Sequence, residues 1–130
     1  MKLDLDCVRE VLLEVEKLPF DDELRIEELY KALPKYDQDV VHYNALKMIE
    51  ADLLDGTCIE RDDWRLPHVF FIYDITFTGH QLLAKVRDEN RWGTVKKGLA
   101  AVRDYSLSAI GAIAEGVTSA AINAYISEKV

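Results

Sequence analysis

Between Asp37 and Asp88 the chain strings together a helical stretch, two β-rich runs and a second helical stretch. Few small folds accommodate that order. In DQDVVHYNALKMIEAD, Val41, Ala45, Met48 and Ile49 recur on one face at helical spacing, with Leu46 and Leu53 flanking. Gly56 is the expected turn into TCIER, a short β-prone run. The segment DDWRLPH, polar at its start and carrying Pro67, suits a hairpin tip. VFFIYDI returns as the longer strand, rich in β-branched and aromatic side chains. Helical spacing resumes at TFTGHQLLAKVRD, where Thr76 or Thr78 caps and Leu82, Leu83 and Val86 point inward. Helix, hairpin, helix in that order is the second half of a winged helix-turn-helix module.

The upstream residues supply the first half. Asp4 or Asp6 can cap a helix whose apolar stripe is Val8, Val11, Leu12 and Val15, and Pro19 ends it. Phe20 to Arg25 is a charged connection with room for a short strand. Ile26, Leu29, Tyr30 and Leu33 mark a brief second helix stopped by Pro34, and Asp37 is a good N-cap for the third. The expected fold is therefore α+β, mostly α. A winged helix-turn-helix domain (three helices, a β-hairpin wing and a fourth helix) spans residues 1–88, and a C-terminal helical extension spans 89–130.

The returning strand departs from an ordinary wing. Alternation puts Val69, Phe71, Tyr73 and Ile75 on one side and Phe70 and Ile72 on the other, so both faces are apolar. A cover over Phe70 and Ile72 is expected, from the C-terminal part of this chain or of a partner. In that part, Trp92, Val95, Leu99 and Val102 keep helical spacing. From Ser106 to Ser127 only Glu115 is ionised. Ala112, Gly116, Ala120 and Ala124 form a small-residue stripe suited to close helix packing or self-association. Glu115, Asn123 and the Ser/Thr content argue against a membrane span.

Charge narrows the function. The net charge is −8, and Asp37 to Asp55 carries Lys47 alone against Asp37, Asp39, Glu50, Asp52 and Asp55. A DNA-reading surface normally neutralises phosphates with Lys and Arg, which this stretch opposes. Cys7 and Cys58 lack CxxC spacing, and acidic residues in MKLDLDCVRE replace the basic and apolar run of a signal peptide, so a reducing cytoplasm is expected.

Several blocks carry a resemblance. ITFTGHQLL resembles the segment L-T-x-x-G-x-x-L/F-L that closes the wing and opens the next helix in many bacterial winged-helix proteins, with Ile75, Thr76, Gly79, Leu82 and Leu83 in the pattern. LKMIEADLLDG resembles the end of a recognition helix, with Asp52 where the usual pattern has glycine; aspartate tolerates the left-handed conformation better than most residues. Together with MKLDLDCVREVLLEVE, VVHYNALKMIEADLL and the segment around Trp92, these blocks look like domain-of-unknown-function family 2513, small proteins of bacteria and their phages or prophages. The resemblance covers about Met1 to Val102. It implies a winged-helix-like fold and brings no activity or functional residue with it.

Catalytic and metal chemistry find no constellation. His42, His68 and His80 are far apart in sequence and lack partners at ligand spacing; Ser106, Ser108 and Cys58 have no base nearby to activate them. No cofactor is expected, and the reading is non-enzymatic. The candidate interaction residues are Gln38, His42, Tyr43, Asn44 and Lys47 on the outer face of the third helix and Arg61, Trp64 and Arg65 on the wing, with Ala112, Gly116, Ala120 and Ala124 for oligomerisation. Two functions fit them. One is a protein-interaction or regulatory module, phage-derived if the resemblance carries that far, whose acidic surface meets a basic partner. The alternative is a DNA-binding transcriptional regulator acting as a dimer.

Overall fold

Asp4 opens the first helix, its carboxylate accepting the Cys7 N–H at 3.1 Å. Helix α1 (Leu5–Glu16) buries Cys7, Val8, Val11, Leu12 and Val15, the stripe its spacing requires. A two-residue strand β1 (Leu24–Arg25) leads into α2 (Ile26–Ala32), then α3 (Gln38–Glu50), β2 (Leu54–Ile59), β3 (His68–Ile75), α4 (Phe77–Val86) and α5 (Glu89–Val102). The computed structural model describes residues 1–103, 106, 109–111 and 113. The chain divides into two compact units, Met1–Gln81 and Leu82–Val130.

In the first unit, a three-stranded antiparallel sheet of order β1-β3-β2 packs with α1, α2 and α3. Val11, Leu12, Leu29, Val41, Ala45 and Ile72 are the most deeply buried apolar side chains there. Helix α3 ends in a Schellman motif: the Leu53 N–H reaches the Met48 carbonyl at 2.8 Å and the Asp52 N–H reaches that of Ile49 at 3.1 Å. Asp52 takes the left-handed conformation, φ 59°, as its place in the glycine position demands. This motif, rather than Gly56, makes the turn. Gly56 lies inside β2, where a Cβ would meet the Phe71 carbonyl at 2.7 Å and the Ile49 side chain at 2.8 Å. The first hairpin strand accordingly begins at Leu54, three residues earlier than Thr57.

The base of the hairpin is fastened by Thr76. Its hydroxyl donates to the Asp52 carbonyl at 2.6 Å and accepts the Gly79 N–H at 3.0 Å, capping α4. A Cβ at Gly79 would lie 2.1 Å from the Leu53 carbonyl oxygen, so glycine alone fits this close approach.

Strict alternation along β3 does not hold. The register with β2 slips twice, leaving Tyr73 and Phe70 as extra residues between paired positions. Each bulge flips the phase of the side chains that follow it. Val69, Ile72 and Ile75 consequently all point inward, at spacing three, while Phe70 and Tyr73 are exposed. The expected division of Phe70 and Ile72 from Val69 and Ile75 is corrected: Ile72 is fully buried, and of that pair Phe70 alone is left 44% exposed.

In the second unit, Asp88 caps α5 by accepting the Arg91 N–H at 2.8 Å. Trp92, Val95 and Leu99 are buried at helical spacing, as expected. Ser106 caps a further helical turn by accepting the Ala109 N–H at 3.1 Å. The proposed stripe of Ala112, Gly116, Ala120 and Ala124 lies outside the described residues. Among the described residues no helix is long and apolar enough to cross a membrane.

Candidate interaction surface

Helices α2 and α3 and the β2–β3 hairpin border a cleft of about 280 Å³, lined by Ile26, Glu27, Tyr30, His42, Ile59, Trp64, His68, Val69 and Phe70. A ring stack forms its hairpin wall. The Arg61 guanidinium lies 4.9 Å over Trp64, Trp64 stacks on His68 at 3.8 Å, and His68 and His42 meet in a T-shaped contact at 5.3 Å. The Arg61 carbonyl accepts the Trp64 N–H at 3.0 Å in a turn of the hairpin connection.

His42 closes the stack against α3. Its Nε2 accepts the Val69 backbone N–H at 2.9 Å. Burial holds its pKa below the usual value, His68 adds to that, and Asp39 opposes it. His42 and His68, distant in sequence, are thus brought together by the fold. No group of three metal-ligating side chains exists among the described residues.

The other nominated residues of α3 fare differently. Gln38 is exposed at the helix start. Asn44, expected on the outer face, is fully buried: its Oδ1 accepts the Asp4 N–H at 2.9 Å and its amide donates to the Val40 carbonyl at 2.8 Å. It is a structural tie between α3 and α1. Lys47 forms an ion pair with Glu50 at 3.0 Å and lies over the Tyr43 ring. On the hairpin, Arg61 and Arg65 are exposed and Trp64 is half-buried.

The cleft wall on α2 was not anticipated. Tyr30, read as part of an apolar stripe, is only half-buried and faces the cleft. Burial raises its phenol pKa, and the carboxylates of Glu27 and Asp39 raise it further, so this wall is electronegative. The signal was available in EELY, where Tyr30 follows Glu27 by three residues on one helix face. A larger depression, about 590 Å³, lies beside Asp21, Asp22, Glu23 and Asp74 and gathers none of the nominated residues.

Residues 2–104 match the family described as Hypothetical protein (DUF2513). The chain belongs to domain-of-unknown-function family 2513. The match in this family-2513 chain runs from α1 through α5 and so includes the whole cleft and the Thr76–Gly79 cap. No curated protein and no solved structure matches it significantly.

Proposed function

We propose that this family-2513 chain is a non-enzymatic winged-helix module that docks a protein partner on the face formed by α2, α3 and the hairpin. The element order, with three helices and a short first strand before the hairpin, supports the winged-helix reading, α3 standing in the recognition position and the hairpin as wing. One observation carries the choice of protein over DNA: two polar side chains of α3 that base reading would call on, Asn44 and His42, are held within the molecule. Asn44 is buried and His42 Nε2 is held by Val69, while Lys47 meets Glu50 in a surface ion pair. Asp37 and Asp39, meanwhile, stay exposed at the end of α3 that would approach phosphates.

The alternative, a dimeric DNA-binding transcriptional regulator, draws on the exposed Arg61 and Arg65 of the hairpin. Fluorescence anisotropy with mixed genomic fragments at low salt separates the two, because electrostatic affinity is greatest there. No binding is expected. Saturable binding whose affinity falls steeply with salt would overturn the proposal in favour of the regulator.

A further inference from the structure

The cleft joins two chemically different walls. Ile26, Val69 and Phe70 give it an apolar floor and side, and Phe70 keeps 44% of its surface exposed. On the α2 side Glu27 lines the cleft, and Asp39 stands near it on α3, close enough to act on Tyr30 and His42. Neither carboxylate makes an ion pair or hydrogen bond among the described residues, and the Tyr30 hydroxyl has no partner there either. Among the described residues no cation pairs with these carboxylates, Lys31 on α2 included. Lys35 is engaged with Glu10 at 2.9 Å, Lys47 with Glu50, and Arg61 with the Trp64 ring. A volume of about 280 Å³ takes one long side chain rather than a cofactor-sized ligand.

Resting on the protein-docking reading above, we infer that the partner presents a basic, apolar-flanked segment and inserts one arginine or lysine side chain into this cleft. The aliphatic stem packs on Ile26, Val69 and Phe70, and the cationic head meets Glu27, Asp39 and the Tyr30 ring. Charge complementarity selects this occupant. The carboxylates on α2 and the first turn of α3 (Glu27, Glu28, Asp37 and Asp39) outnumber the Lys31 cation, in a chain of net charge −8. An acidic segment or a nucleic acid meets repulsion at the same wall.

The test uses the full chain and fluorescein-labelled nonapeptides that alternate leucine with arginine, glutamine or glutamate. The arginine peptide is expected to bind, more weakly as salt rises, and the other two are not. Glu27→Gln with Asp39→Asn should weaken it about tenfold, or about 1.4 kcal/mol. Phe70→Ala should weaken it severalfold, and the Val69 and Phe70 amide resonances should shift on binding to the unaltered chain. Asp21→Asn with Asp22→Asn removes two charges at the other acidic depression and should leave affinity unchanged. Equal weakening by both double variants would mean attraction to overall charge, and would overturn the inference, as would failure of the arginine peptide to bind. Either result, with the DNA titration still silent, leaves the protein-docking reading intact; a positive DNA titration removes that reading itself.

Discussion

The imidazole of His42 accepts the backbone N–H of Val69 at 2.9 Å, fastening α3 to the start of β3. Only a neutral ring with its proton on Nδ1 can accept in this way. Burial and His68 depress its pKa below the usual 6.5, so the fold favours the neutral form. The stabilisation is therefore complete above the unfolded-state pKa, and it fades as pH falls through the lower folded value. NMR titration of the His42 Cε1–H should give a midpoint below 6.5, with the unfolding midpoint in urea falling on the acid side of that value. His42→Leu should flatten this dependence and cost about 1–3 kcal/mol at neutral pH by orphaning the Val69 N–H. A His42 midpoint at or above 6.5 would refute the assignment.

Asp52 bears a conformational cost that glycine would not. At φ 59° its Cβ sits in the left-handed region while the surrounding Schellman bonds hold the backbone there. Asp52→Gly should raise stability by about 1 kcal/mol, and Asp52→Val should lower it by at least as much. Urea unfolding of the three proteins, at constant slope, measures both.

At Gly79 the outcome runs the other way. Adding a methyl group against the Leu53 carbonyl and the Ile75 side chain forces backbone to move, so Gly79→Ala should destabilise by more than about 2 kcal/mol. Thr76→Val keeps the shape and removes both hydroxyl bonds, with an expected loss of about 1–2 kcal/mol, whereas Thr76→Ser should lose much less. Thermal unfolding ranks the series.

Asn44 is a second internal tie. Asn44→Leu should cost about 1–3 kcal/mol and speed hydrogen exchange at Asp4 in particular, because that N–H loses its acceptor. If Asn44 instead contributed to an external surface, stability would barely move.

Much of this architecture was legible in local sequence signals. Asp4, Asp37 and Thr76 stand at helix starts, although Asp37 holds its place through its backbone without a side-chain capping bond. Asp52 and Gly79 were legible because each answers a backbone requirement within a few residues of itself. The phase of β3 was not, since a bulge is set by pairing with β2, and a period-two pattern carries no mark of the slip. The same limit hid the role of Asn44, whose partner lies 40 residues away, and the meeting of His42 with His68. Helical spacing could place Asn44 near the edge of a face; only the arrival of α1 decided that it was inside.

The Thr76 hydroxyl has a mechanical corollary. Through it and the neighbouring amides, the base of the hairpin shares hydrogen bonds with the ends of two helices. Farther out, beside the Trp64 and His68 rings, α3 meets the hairpin through the His42 imidazole acceptor. The hairpin is thus tied to α3 at two places of different chemistry, a hydroxyl at its base and an imidazole farther out. Protonation of His42 therefore removes a tie at the outer end of β3 and leaves the hydroxyl ties at its base intact.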